Sequence, residues 1–240
     1  MRYKKYDRKA DHAYTFGVFP TLELLTHQPG QALHVLLHSS GDRSEGAKTI
    51  RTRCQQLGIP VEVNDTQIER IAAKENTYAI GIFQKYRPAL DAAANHVVLV
   101  NPSDMGNLGT TLRTLLGFGF HDLALIEPAA DIFDPRTTRA SMGALFQMRF
   151  AYYRTFEDYA AAYPRMFYPF MTDGDVALPE AQFQPPFGLI FGSESAGLPD
   201  SYRTVGKTVT IPQRDTIDSL NLAIAIGIAA YEVTRERSTE

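Results

Sequence analysis

From His96 onward, short apolar runs alternate with stretches of helical pattern, and each apolar run stops at glycine or small polar residues. Parallel strands need a crossover of a dozen or more residues, so this alternation predicts a mainly parallel sheet joined by helices. Strands are expected at 96–100, 122–126, 165–171, 187–191 and 207–211, with a helix over 108–116. A last helix runs over 219–235; its first three turns are apolar on every face, which predicts burial. No repeat or low-complexity segment is present.

A small α/β unit precedes this region. Residues 32–37, 59–63 and 78–83 read as strands. A charged amphipathic helix spans 44–57 and stops at Gly58, and Asp65 or Thr66 caps a short helix over 68–73. The stretch 84–95 is polar, contains Pro88 and then turns alanine-rich, which places a domain boundary there. The expected fold class is α/β in two parts, residues 1–90 and residues 96–240. A chain of 240 residues with 44% hydrophobic and 21% charged residues is ordinary globular material, long enough for both.

The net charge of −3, taken whole, discourages a nucleic-acid partner. Its distribution is uneven. Residues 1–90 hold 13 Lys and Arg against 9 Asp and Glu, a net of +4, while the remainder holds 11 against 18, a net of −7. Arg2, Lys4, Lys5, Arg8 and Lys9 crowd the amino terminus against Asp7. They read either as a solvated tail or as a basic docking end on an acidic body.

The single cysteine, Cys54, excludes an intramolecular disulfide and a cysteine-based zinc site. Six scattered histidines form no cluster at ligand spacing, so no metal is expected. The amino-terminal residues lack the apolar stretch of a signal peptide, and the longest apolar run, 222–230, is too short to span a bilayer. The expectation is a cytoplasmic protein without a membrane partner.

Ligands of open α/β sheets sit beyond the carboxyl ends of strands, and three segments at such ends concentrate glycine and polar residues. The first, 101–119, follows the 96–100 strand. Asn107 is placed to cap the helix, and Arg113 sits in its second turn among Leu112, Leu115 and Leu116. It reads as a salt-bridging Arg or as a fixed cation at the mouth of a site. The second, 189–199, runs from a strand containing Ile190 and Phe191 into Gly192, Ser193, Glu194 and Ser195. A hydrolase elbow needs glycine two residues before its serine, but Ser193 stands there before Ser195, and the Lys of a phosphate-binding Walker loop is absent. An ordinary turn and a ligand loop positioned by Glu194 both remain. The third, 211–232, carries Ile211, then Ser219, Leu220 and Asn221 at the head of the apolar helix. Asp218 or Ser219 is the simple cap; a buried Asn221 would need another polar loop as partner. Gly117-Phe118-Gly119 follows a helix instead of a strand and lacks a third glycine, so the segment does not read as a Rossmann dinucleotide site.

In this order and spacing the three segments resemble the signature motifs of the SpoU/TrmH branch of the SPOUT RNA methyltransferases. Asn107 with Arg113 matches the first motif, Gly192-Ser193-Glu194 the second, and Ser219-Leu220-Asn221 after Ile211-Pro212 the third. Residues 139–144 also look like a family feature. The first ninety residues look similar, less strongly, to the ribosomal-protein-like substrate-binding domain that many members carry.

The resemblance implies a parallel-sheet domain with a deep trefoil knot, a homodimer, and S-adenosylmethionine as methyl donor. The implied reaction is methyl transfer to a ribose 2′-hydroxyl of structured RNA, ribosomal RNA first and transfer RNA second. It assigns Arg113, Asn107, Glu194, Ser219 and Asn221 to catalysis, and Ile190, Phe191, Gly192, Ser193, Ile211 and Leu220 to the donor. Two rivals stand beside it: an inactive RNA-binding homologue that keeps the fold, and a hydrolase or transferase using Ser195 or Ser219.

Overall fold

A computed structural model describes residues 3–72, 77–214 and 216–235; Arg2 and Ala73 lie outside them. The elements in chain order are β1 (His12–Tyr14), α1 (Val18–His27), β2 (Ala32–Leu37), α2 (Glu45–Leu57), β3 (Val61–Val63), α3 (Asp65–Ile71) and β4 (Ala79–Gln84). Then follow β5 (His96–Val100), α4 (Met105–Gly117), β6 (Asp122–Ile126), α5 (Pro135–Ala140), β7 (Arg149–Tyr153), α6 (Phe156–Ala162) and β8 (Met166–Pro169). The last are β9 (Val176–Ala177), β10 (Phe187–Phe191), β11 (Val209–Thr210) and α7 (Leu222–Arg235).

Two compact units form. The first comprises Met1–Tyr86 with Asp131–Gln147, the second Arg87–Ala130 with Met148–Glu240. The boundary near residue 86 falls within the expected linker. The allocation of 131–147 differs from the sequence expectation, which left this segment in the carboxyl-terminal domain. Its aromatic residues explain the difference: Phe133 and Phe146 pack on Phe83 with ring centroids 5.8 and 5.1 Å away, and Gln28 donates to the Phe146 carbonyl at 3.1 Å.

In the first unit the sheet order is β1-β4-β2-β3, with β2 and β3 parallel and the other pairs antiparallel. One face buries Leu36, Ile80 and Ile82 with Ile68 and Ile71 of α3; the other buries Val35, Leu37 and Ala79 with Leu25 of α1 and Ile50 of α2. Ser44 caps α2 by accepting from Ala47 N at 3.2 Å, and Gly58 ends it in the left-handed conformation, φ 69°. The cap of α3 is Asn64, not Asp65 or Thr66; Asp65 instead accepts from Ser39 N at 2.7 Å. Strands β1 and helix α1 are additions to the sequence reading.

The second unit carries a five-stranded sheet of order β7-β6-β5-β10-β8 in which every pair is parallel. Strands β5, β6 and β10 are buried at all positions, as strands covered on both faces must be. The expected strands at 165–171 and 207–211 shorten to β8 and β11, and β7 and α6 are additions. Helix α4 packs along α7. The expected burial of α7 on all sides does not hold: Leu222, Ala223, Ile226, Ala229 and Ala230 are buried, but Ile224, Ile228 and Tyr231 are 55%, 38% and 54% exposed. At spacings of four and three these three residues form one stripe. Among the described residues no helix is long and apolar enough to cross a membrane.

Candidate active site

The site is built at the carboxyl ends of β5 and β10. After β5 the chain turns at Asn101, which holds a left-handed φ of 53°, and enters α4. The cap of α4 is Asp104, whose carboxylate accepts from Asn107 N at 2.6 Å. Asn107 is thereby inside the first turn, and its side-chain amide is free for other work.

After β10 the chain folds back on itself within five residues. Gly197 N donates to the Ser193 carbonyl at 3.0 Å, and Gly197 holds φ 67°. A Cβ on Gly192 would lie 2.0 Å from the carbonyl carbon of Gly197, so only glycine permits this closure. The fold-back carries Glu194 to the start of α4. One carboxylate oxygen accepts from the backbone N–H and the hydroxyl of Ser103, both at 3.1 Å; the other accepts from Asp104 N at 3.2 Å and Asn107 Nδ2 at 3.3 Å. Burial alone would raise the pKa of Glu194, but its own backbone N–H, together with Ser103 N–H, the Asn107 amide and Asp104 N–H, outweighs it and holds the carboxyl below its ordinary value.

The third segment joins the same chain of contacts. Asn221 Nδ2 donates to Asn107 Oδ1 at 3.1 Å, while Asn221 Oδ1 accepts from Ala223 N at 3.0 Å and Ile224 N at 3.4 Å. Asn221 is thus the cap of α7, in place of Asp218 or Ser219, and it is exposed, not buried. Its polar partner is the first segment, as its amide requires.

A cleft of about 430 Å³ opens beside this chain of hydrogen bonds. Phe191, Gly192, Ser193, Glu194, Ile211, Ser219 and Leu220 all line it. Four expected residues do not: Asn107, Asn221, Ile190 and Arg113. Ile190 is fully buried in the core beneath, packed with Val98 and Ala124, because alternate residues of a strand face opposite sides. Arg113 is exposed on α4, outside the lining, six residues and roughly 240° around the helix from Asn107.

The cleft also has walls that local sequence did not announce. Phe170 stacks on Phe191 with centroids 4.5 Å apart and planes at 17°. Arg203 bridges Asp173 at 2.5 Å and Asp200 at 3.2 Å on the rim. Arg203 lies thirty residues from Asp173, so no spacing rule could pair them. Asp104 was more accessible to sequence reading, as an Asp just before a helical run is the ordinary cap signal.

The sequence model of the SpoU rRNA Methylase family matches residues 94–231. A 23S rRNA (uridine(2479)-2′-O)-methyltransferase of Streptomyces viridochromogenes is 33% identical over 150 residues, covering 59% of this chain. The match spans about half of that relative, 52% of its length. A 23S rRNA (adenosine(1067)-2′-O)-methyltransferase of Streptomyces azureus is 28% identical over 225 residues, covering 88% of this chain and 83% of that enzyme. The crystal structure of an AdoMet-bound rRNA methyltransferase from Sinorhizobium meliloti superposes with a TM-score of 0.79 and 28% identity, over 94% of this chain and 88% of that one. The segments joined through Glu194, Asn107 and Asn221 fall inside the matched region, and the chain belongs to the SpoU family of rRNA methylases.

Proposed function

We propose that this chain methylates a ribose 2′-hydroxyl of ribosomal RNA, with S-adenosylmethionine as the donor. The observation that carries the reading is the hydrogen-bonded chain Glu194–Asn107–Asn221, which ties three distant segments together beside a strand-end cleft that Glu194 lines. An inactive homologue would have no need to hold that geometry.

The cleft fits the donor. Its volume lies within the roughly 300–1,000 Å³ usual for small-molecule sites. Phe170 and Phe191 offer an apolar wall, and Gly192 lets the loop close on the Gly197 backbone, where any side chain would collide. Asp173, Asp200 and Asp218 outnumber Arg203 around the lining, which suits a cation. When bound, the cofactor supplies an electrophilic methyl on a sulfonium centre. Gly192, Ile211 and Leu220 hold and orient it; Glu194 and Asn107 fix the loops on either side.

Arg113 serves the nucleotide instead. A guanidinium does not give up its proton in proteins, so its part is to stabilise negative charge growing on the ribose oxygen and to hold a neighbouring phosphate. Holding the ribose oxygen in line with the methyl group is the larger contribution, worth up to about 7–11 kcal/mol in favourable systems. Within one chain Arg113 does not face the cleft. A homodimer supplies the missing wall, and the exposed stripe Ile224, Ile228 and Tyr231 on α7, which packs beside α4, supports it.

The trefoil knot belongs to the same reading. It is supported by close passages that only glycine allows: a Cβ on Gly206 would lie 2.0 Å from the Phe167 carbonyl oxygen, and one on Gly174 would lie 2.5 Å from the Val209 carbonyl carbon. The amino-terminal residues, with their net of +4, dock the RNA. The match to the S. azureus rRNA enzyme runs over 88% of this chain and so beyond the methylase region, which favours ribosomal over transfer RNA. A ribosomal target places the protein in the cytoplasm. Incubation of the purified chain with methyl-labelled donor and either 23S rRNA or total tRNA tests this. Label is expected in the rRNA; label only in tRNA, or in neither, counts against it.

A further inference from the structure

The sequence leaves the basic amino terminus as either a solvated tail or a docking end, and the structure removes the first. Residues 3–11 run ahead of β1 and are tied to the first unit at several points. Tyr3 is buried, its ring 5.8, 6.5 and 5.8 Å from those of His12, Tyr14 and His34. Tyr14 Oη donates to the Lys4 carbonyl at 2.7 Å, and Tyr6 Oη donates to Asp131 Oδ2 at 2.5 Å. Lys85, just past β4, sets its ammonium 4.6 Å over the Tyr6 ring and donates to the Asp7 and Arg8 carbonyls at 3.4 and 2.9 Å. Ala10 N closes a turn on the Asp7 carbonyl at 3.0 Å, and Lys85 N donates to the Asp11 carbonyl at 2.7 Å. A chain terminus is ordered only where it is tied down in this way.

The groups that anchor the segment are not the ones that carry its charge outward. Lys4, Lys5, Arg8 and Lys9 are all exposed. Arg8 lies 3.9 Å from Asp131 with 67% of its side chain exposed, whereas Lys4, Lys5 and Lys9 have no ion pair among the described residues. The Asp7 carboxylate accepts from Lys9 N at 2.9 Å. Four cations against Asp7 and Asp11 give residues 3–11 a net of +2. From residue 4 to residue 9 the chain spans at most about 18 Å. Fixing like charges within that reach gives the fold little, since exposed charges stabilise weakly and like charges repel. A polyanion turns the repulsion into attraction. The backbone of a nucleic acid presents a row of phosphates, and a strip ordered beforehand binds it without a further ordering cost.

We propose that residues 4–9 form a preorganised phosphate-binding strap for the RNA substrate, with Lys4, Lys5 and Lys9 on phosphates and Tyr6 and Lys85 holding the backbone in place. Lys85 is a positioning residue here, because its ammonium faces the strap's own carbonyls. The proposal rests on the reading of the chain as an RNA methyltransferase and names where on the first unit the RNA backbone docks.

The test uses the full chain, with a 23S rRNA transcript, S-adenosylmethionine and vesicles of phosphatidylserine and phosphatidylcholine as separate probes. A triple variant, Lys4→Gln with Lys5→Gln and Lys9→Gln, should keep its Tm and donor affinity. Its affinity for the transcript should fall about 10–100-fold, and the slope of log K against log salt should flatten by about 2–3, the value of three phosphate contacts. Tyr6→Phe changes no charge. It should weaken transcript binding about threefold or more with the salt slope unchanged, and trypsin should cut after Lys5, Arg8 or Lys9 faster than in wild type. A triple variant with wild-type affinity, or with weaker binding at an unchanged slope, overturns the phosphate contacts. Tyr6→Phe that is cut faster yet binds the transcript normally overturns preorganisation, and cleavage at the wild-type rate overturns Tyr6 as an anchor. Vesicle binding that the triple variant loses, beside normal transcript binding, gives the strip to a lipid surface and overturns the RNA partner. A wild type and a triple variant that bind donor and methylate the transcript equally well sink the strap alone; a wild type that binds no donor sinks the methyltransferase reading instead.

Discussion

Replacing Glu194 by Gln keeps the shape of the side chain and removes its charge. In the native protein two donors converge on each carboxylate oxygen: the N–H and hydroxyl of Ser103 on one, Asp104 N and Asn107 Nδ2 on the other. An amide has one oxygen and one NH2, so one pair of donors is left facing a third donor. Hydrogen bonds to a charged group are worth about 1.5–3 kcal/mol each, and lengths of 3.1–3.3 Å at a half-exposed site place these near the low end. Two lost and two weakened amount to about 3–4 kcal/mol unscreened, which solvent at this half-exposed site reduces to about 2–3 kcal/mol. For a chain of this size that lowers Tm by about 4–12 °C, measured by scanning calorimetry at pH 7. The pH dependence supplies an internal control. Because the folded carboxyl is held below its ordinary value, its stabilisation is complete above the unfolded pKa, about 4.3, and is lost as pH falls through the lower folded value. The gap between wild type and Glu194→Gln should therefore close in acid. A gap under 1 °C at pH 7, or one unchanged at pH 3, refutes the assignment of Glu194 as the tie between the segments.

Arg113→Ala should reduce methylation by about 10²–10³-fold, as loss of a charge-stabilising donor does, with donor affinity by calorimetry unchanged because Arg113 lies outside the cleft; normal turnover would remove Arg113 from the mechanism. Gly192→Val should abolish donor binding and destabilise the fold by about 3 kcal/mol or more, since its Cβ would enter the Gly197 backbone; wild-type donor affinity would contradict the tight closure. Ile228→Asp, in the middle of the exposed stripe of α7, should convert a dimer to a monomer by sedimentation and impair methylation together, and a wild-type sedimentation profile would argue against that face.

The sequence shows the parallel sheet where burial on both faces leaves an uninterrupted apolar run, as in β5, β6 and β10. It shows α2 because Ser44 and Gly58 mark its ends locally. What it conceals is non-local. Strand β1 has three residues and its partner β4 lies some seventy residues on. Residues 131–147 carry no period of their own and join the first unit through Phe83. Helix α7 looks wholly buried because hydropathy does not distinguish packing on its own core from a face kept for another surface. For the site, the sequence singled out Glu194, Asn107 and Asn221 and left Glu194 either Asn107 or Arg113 as its partner; the structure pairs it with Asn107, which also meets Asn221. The cap assignments moved: Asp104 caps α4, which releases Asn107, and Asn221 caps α7 while also bonding Asn107. Ile190 misled because a strand residue adjoining a ligand loop points into the core as often as out of it.

The central claim is the chemistry of transfer, and the position of the methyl group tests it most directly. The purified chain, methyl-labelled S-adenosylmethionine and a 23S rRNA transcript should yield label that survives alkaline hydrolysis within a dinucleotide, since a 2′-O-methyl ribose cannot assist cleavage of its own phosphodiester. Label recovered in single nucleotides after alkali, carried on a base, would contradict ribose methylation, and an RNA left unlabelled by protein that binds the donor would contradict catalysis.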